Sequence, residues 1–187
     1  MKLESDEVLS FWFEENGTEQ WFGKEKSFDE KIRVRFYELM QRAREGELES
    51  WIREPRTCLA LIILIDQFSR NLYRNSPLSW SADSYALALS KQAIEKNYDN
   101  SMNHNEKAFL YLPLMHSEVL EDQDLCVKLV ERTLVSRNEF NLKNYESALR
   151  HQYIIARFGR FPHRNKVLGR ISTKEEIEFL KEPNSSF

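Results

Sequence analysis

The residues best suited to chemistry lie in a basic stretch near the carboxyl end of the chain, residues 147–174, which holds seven Lys or Arg and no Asp or Glu. Five of the seven are Arg, whose guanidinium group forms paired hydrogen bonds with carboxylate or phosphate. Gly159 and Pro162 predict a sharp turn inside this stretch. The candidate ligand-binding residues around that turn are Arg157, Arg160, His163, Arg164 and Asn165. Because neighbouring cations repel one another, either a bound anion or acidic side chains of the protein must offset them.

A second group of candidates follows an apolar segment at residues 58–65. The preceding Pro55 and the length of the segment favour a helix over a buried strand, with Asp66 at the carboxyl end of that helix. A carboxylate in that position interacts unfavourably with the helix dipole unless a nearby cation compensates it. Arg70 lies four residues later and could be that cation, with Asn71 beside it. These three residues form either a salt-bridged link after a buried helix or the acidic wall of a ligand pocket.

Acid–base chemistry has four candidates, which are His116, Glu118, Asp122 and His151. Each of the two histidines falls on an apolar helical stripe, where a hydrogen-bonded core histidine is the ordinary interpretation. Alternatively, one histidine acts as a general base and is oriented by one of the two acids. The chain has no His-Glu-x-x-His spacing and no closely spaced cysteine pair, so the sequence predicts no metal site and no cofactor.

Composition limits the classes of partner. A net charge of −3 argues against nucleic-acid binding in spite of the basic stretch. The longest apolar run, residues 58–65, is far shorter than the roughly 18 residues of a membrane span, and no charged-then-apolar signal segment opens the sequence. Both cysteines fall in apolar patterns and are expected to be reduced. We therefore expect a cytoplasmic protein with no membrane partner.

The elements that must position these residues are helices. Helical periodicity runs through the chain, and only five Gly and five Pro disfavour an all-β fold. We predict an all-α fold of about eight antiparallel helices joined by short loops. From residue 81 onward the helices resemble tetratricopeptide hairpins, although no clean repeat is present. No linker or break in composition divides the chain, which predicts a single helical-hairpin domain over residues 1–187.

Several segments together resemble a known family. VLSFWFEE, LALIILIDQFSRNLYR, FLYLPLMHSE and RFGRFPHRN occur in the order found in the bacterial family catalogued as domain of unknown function 924. The resemblance covers residues 8–187 and implies an all-helical, tetratricopeptide-like α-α superhelix. It implies no activity. Ser69 stands where the family usually has proline, and Lys24 with Glu25 replaces the usual Lys-Asp pair; neither change removes a candidate residue.

We hypothesise that all of these candidates meet in one charged cleft, because each set follows the carboxyl end of an inward-facing helix. The cleft would bind a small anionic molecule or an acidic peptide end through its arginines and histidines. Two alternatives remain open. One is a hydrolase-type enzyme that uses His and carboxylate acid–base chemistry, and the other is a structural module that binds a protein partner.

Overall fold

A computed structural model describes the protein at residues 3–135 and 138–187, and within those residues it is helical with no β-strand. The all-α prediction is therefore confirmed. The α-helices are α1 (Glu4–Phe13), α2 (Thr18–Trp21), α3 (Lys26–Arg44), α4 (Pro55–Ile62), α5 (Ser69–Leu72), α6 (Asp83–Glu95), α7 (His104–Met115), α8 (Leu120–Glu131), α9 (Glu139–Phe158) and α10 (Lys174–Phe179). No helix in the described ranges is both long and apolar enough to cross a membrane.

Shorter helical turns fill several of the connections. A π-helical segment, Ile63–Phe68, joins α4 to α5. The 3₁₀ turns are Glu49–Arg53, Pro77–Ser79, Tyr98–Ser101, Arg132–Val135 and Pro162–Arg164.

Two compact units make up the chain. The first comprises the residues up to Arg74 together with Leu78–Pro113, and the second comprises Asn75–Pro77 together with Leu114–Phe187. The single-domain organisation expected from the sequence stays a prediction, as does the tetratricopeptide-like superhelix.

The core of the first unit surrounds α4 and the π-helical segment. Residues 58–69 are buried without interruption, which confirms that the apolar segment forms a helix. Pro55 occupies the first turn of α4, where its missing N–H has no intrahelical partner to lose. The rings of Phe11, Phe36 and Phe68 pack within about 6 Å of one another, at centroid distances of 5.0–6.1 Å.

The prediction that Asp66 ends this helix is wrong. The helical backbone continues through the π-helical segment and α5 to Leu72. The segment after Asp66 stays buried, with Phe68 and Ser69 both 0% exposed. A helix that is covered on every side satisfies its backbone groups most simply by continuing, so the polar residues after Asp66 do not interrupt it.

The second unit is built on an antiparallel pair of helices, α8 and α9. Gln152 of α9 donates to Asp124 of α8 at 2.7 Å, and Asn141 donates to the Thr133 carbonyl at 3.1 Å near the connection. Gly159 ends α9 in the left-handed conformation, as its position in the sequence predicts. The segment between α9 and α10 then folds back over a small core of Ile154, Ile155, Phe161 and Phe179.

Candidate functional site

In the first unit, Arg70 is held by two aspartates. Its Nη1 and Nη2 each donate to one oxygen of Asp83 at 3.0 Å, and Nη1 lies 3.0 Å from Oδ1 of Asp66. Burial alone would lower the pKa of Arg70, but the charges of Asp66 and Asp83 outweigh it and raise that pKa. This geometry favours the salt-bridge interpretation. The sequence missed Asp83, because it lies beyond a turn and on another helix.

Asn71 also has internal partners in the first unit. Its side-chain amide donates to Asp29 Oδ1 at 2.8 Å, and Arg74 donates to the two oxygens of the same carboxylate at 2.6 and 2.9 Å. Asp29 belongs to the first turn of α3, where a carboxylate also complements the helix dipole. Asn71 therefore helps to fix the end of α5 against the start of α3.

In the second unit, two arginines of the basic stretch pair with α10. Arg160 makes a two-point contact with Glu176, at 2.6 Å from Nε and 2.8 Å from Nη2. These bonds lower the pKa of Glu176 to about 2. Arg157 donates from Nε to Glu175 at 2.9 Å. Glu176 also forms a capping box with Thr173, and this box begins α10 with Glu175 and Glu176 in its first turn.

Glu118 forms a second two-point contact, with Arg170. Arg170 donates to the two oxygens of Glu118 at 2.7 and 3.0 Å, and the backbone N–H of Phe161 donates to Glu118 at 2.7 Å. Burial would raise the pKa of Glu118, but these donors outweigh it and lower that pKa. Arg170 further donates to the Phe161 carbonyl at 3.0 Å and to Asn165 Oδ1 at 2.9 Å. Asn165 is 1% exposed, and its amide donates to Ser172 at 3.0 Å.

The remaining candidates of the second unit form what we call the histidine cluster: His116, His151, His163 and Arg164. Arg164 donates from Nη2 to the His116 carbonyl at 3.1 Å, and its guanidinium carbon lies 4.5 Å from the centre of the Phe161 ring. His151 donates from Nδ1 to the Ser147 carbonyl at 2.7 Å. His163 Nδ1 is buried and has no hydrogen-bond partner among the described residues.

The cluster disfavours positive charge on two of its imidazoles, those of His151 and His163. Burial, with a smaller influence from the neighbouring His116, Arg164 and His163, lowers the pKa of His151 to about 3, although the hydrogen bond to the Ser147 carbonyl opposes that shift. Burial and the charge of Arg164 lower the pKa of His163 to about 4. Both imidazoles are therefore neutral at pH 7.

An aromatic side chain that the sequence did not single out covers this cluster. The ring of Phe187 stacks on His151 with centroids 3.7 Å apart and an interplanar angle of 20°. It meets His163 edge-on at 5.6 Å and Phe161 at 6.3 Å. Phe187 itself stays 47% exposed, so it lies over the cluster rather than within the core.

The last candidate, Asp122, has an internal partner in the second unit. Asp122 is 4% exposed and accepts a hydrogen bond from Ser117 at 2.8 Å. Across residues 3–135 and 138–187, no three His, Cys, Asp or Glu side chains are grouped so that they could hold a metal ion. Two open depressions of about 440 and 460 Å³ lie along α3, and neither contains a residue predicted from the sequence.

The predicted single cleft would need residues from both units. Asp66, Arg70 and Asn71 belong to the first unit, and the other candidates belong to the second. Their convergence stays a prediction. Within the second unit, the structure brings the histidine cluster together beside the Glu118–Arg170 pair.

Comparison with known proteins gives two matches. Residues 8–184 match the family described as "Bacterial protein of unknown function (DUF924)". A solved structure, "Structure of Protein of Unknown Function ATU0120 from Agrobacterium tumefaciens", is similar with a TM-score of 0.86 and 31% sequence identity. The similarity covers 95% of this chain and 96% of that one. No functionally curated protein matches. The chain therefore belongs to the DUF924 family of bacterial proteins of unknown function.

Proposed function

We propose that this protein binds a small organic carboxylate at the histidine cluster of the second unit. The observation that carries the proposal is His163 Nδ1, a buried nitrogen that the described residues leave without a hydrogen bond, beside the guanidinium of Arg164. A buried polar atom without a partner costs free energy, about 1–3 kcal/mol, and a ligand that supplies the partner recovers it. An acidic peptide end offers the same carboxylate chemistry.

The electrostatics of the cluster suit an anion. Arg164 keeps its charge at any physiological pH, and that charge lowers the pKa of both His151 and His163. A bound carboxylate would reverse this influence, because it favours protonated imidazole. Arg164 would hold one carboxylate oxygen, and His163 would become a charged donor to the other.

Phe187 covers the proposed site. Its ring occupies the flat face of His151, which a planar ligand would otherwise contact. Ligand entry therefore requires Phe187 to move. Because its ring is about half exposed, that movement breaks few contacts compared with a ring in the core.

The geometry supports binding better than hydrolysis. Glu118 is engaged by Arg170 and by the Phe161 backbone, so it orders the turn instead of orienting a histidine. The Nδ1–H of His151 is already donated to the Ser147 carbonyl. The pairs Arg157–Glu175 and Arg160–Glu176 favour a structural role for that part of the basic stretch. Cys58 and Cys126 are buried, as suits reduced thiols of the cytoplasm, where we propose that the protein acts.

Calorimetric titration with benzoate, acetate and inorganic phosphate tests the proposal. We expect benzoate to bind more tightly than acetate, because a planar ring can take the place of Phe187 on His151. Phe187→Ala should strengthen benzoate binding about three- to tenfold by removing the cover. His163→Gln should weaken it by about tenfold or more, because the amide cannot acquire a charge.

A matched control lies on the same helix as His151. Arg157→Gln removes a guanidinium that is outside the proposed site and pairs with Glu175, so it should leave benzoate affinity unchanged. The proposal is contradicted if no carboxylate binds the wild-type protein or Phe187→Ala. It is equally contradicted if Arg157→Gln and His163→Gln weaken binding alike.

A further inference from the structure

One face of α9 is apolar and open to solvent. Leu142, Leu149 and Tyr153 are 44%, 39% and 45% exposed. Tyr145 and Ala156 lie on the same helical face, because residues three, four and seven apart align along a helix. We call these five residues the α9 stripe. The opposite face of α9, which includes Ala148 and Ile155, is already buried in the second unit. The helix therefore carries more apolar surface than its own chain covers.

The α9 stripe is symmetric about its centre. Leu142 and Ala156 each lie seven residues from Leu149, and Tyr145 and Tyr153 each lie four residues from it. A two-fold dimer requires a surface that complements itself, so that each residue contacts its mirror position on the partner. We propose that two copies of this chain associate through antiparallel α9 helices, with Leu149 near the two-fold axis.

Charges along the edge of the stripe favour the antiparallel arrangement. Glu139, Lys143 and Glu146 lie in the first half of α9, and Arg150 and Arg157 lie in the second half. Lys143 pairs with Glu139 at 2.7 Å, so Glu146 is the acid that a partner helix would meet. Glu146 and Arg150 lie two residues on either side of position 148, which is one residue from Leu149. Antiparallel pairing therefore brings Glu146 of one copy opposite Arg150 of the other. Parallel pairing would place like charges together.

These arginines keep their contacts within the chain, so apolar burial must supply most of the association energy. Arg157 bonds to Glu175, and Arg150 lies 3.9 Å from Glu182. The stripe spans about 21 Å at a helical rise of 1.5 Å per residue. A standard interface buries about 800 Å² on each partner, which is more than one helical row provides. The dimer should therefore dissociate on dilution.

Sedimentation velocity over a hundredfold range of concentration tests this proposal on the full chain. We expect the average mass to rise towards that of two chains as concentration increases. Leu149→Glu should remain monomeric throughout, because it places two carboxylates together at the axis. Val34→Glu is the matched control, since Val34 is 77% exposed on α3 and belongs to the first unit. It should associate as the wild type does.

Charge exchange tests the orientation independently of any apolar change. Glu146→Arg should weaken association by about tenfold, and the double variant E146R/R150E should restore it, because the opposed pairs are re-formed in reverse. The proposal is overturned if the wild type is monomeric at every concentration. It is also overturned if Leu149→Glu associates normally, or if the double variant is weaker than the single one.

Discussion

Acidification from pH 7 to pH 5 should destabilise this protein, because His151 and His163 are buried in the neutral form. The pKa of His151 is lowered to about 3 and that of His163 to about 4, against an ordinary value of 6.5. The unfolded chain therefore takes up protons at a higher pH than the folded chain does. The stabilisation is complete above pH 6.5, and it is lost as the pH falls from 6.5 towards the folded values.

The size of the effect follows from the same values. Each histidine costs about 1.4 kcal/mol for every pH unit below 6.5, as long as the folded imidazole stays neutral. At pH 5 the loss is therefore about 2 kcal/mol for each of the two residues, or about 4 kcal/mol together. The whole stability of a domain is only about 5–15 kcal/mol. Glu176 adds its own loss only below about pH 4.5, outside this window.

Urea denaturation followed by circular dichroism at pH 7, 6 and 5 measures the free energy of unfolding. His151→Gln should lower stability at pH 7 but should lose only about 2 kcal/mol between pH 7 and pH 5, half of the wild-type loss. Asn144→Gln, on the same helix and without a titrating group, should keep the full wild-type loss. A wild-type protein that is equally stable at pH 7 and pH 5 would refute the reasoning.

Three further predictions concern stability and reactivity. Glu118→Gln should lower the free energy of unfolding in urea by about 1–3 kcal/mol, because it leaves the partly buried guanidinium of Arg170 underpaired. Arg157→Gln should lower that free energy much less. Equal losses would contradict the structural role of Glu118. Arg70→Lys should cost about 1–2 kcal/mol in the same assay, because an ammonium cannot make the two-point contact, and an unchanged midpoint would show that this contact is unimportant. Burial raises the pKa of Cys58 to about 11 and that of Cys126 to about 12. A thiol reagent at pH 8 should therefore modify both cysteines within seconds in urea but only slowly in the native protein. A rapid reaction of the native protein would contradict their burial.

Local signals in the sequence predicted much of the fold. The helix start at Pro55 and the stop at Gly159 depend on the preferences of single residues, and both occur in the structure. The continuation of α4 past Asp66 could not be predicted in this way, because tertiary burial and not local polarity decides where that helix ends.

The site was less predictable because its partners are remote in sequence. The basic stretch predicted that acidic side chains or a bound anion must balance its positive charge, but it did not predict which residues these are. Glu118 and Arg170 are 52 residues apart. Arg70 pairs with Asp83, which lies beyond a turn, and Phe187 stacks on His151 only after the chain folds back. Charge counting reveals the need for partners, whereas only the fold assigns them.

The central claim is that the histidine cluster takes up a carboxylate, and nitrogen-15 NMR of the histidine rings tests it most directly. The account predicts that saturating benzoate moves the His163 ring signals towards those of protonated imidazole, with a smaller change at His151. The signals of His104, in the first unit, should stay where they are. Identical spectra for His163 with and without benzoate, in both the wild type and Phe187→Ala, would contradict it.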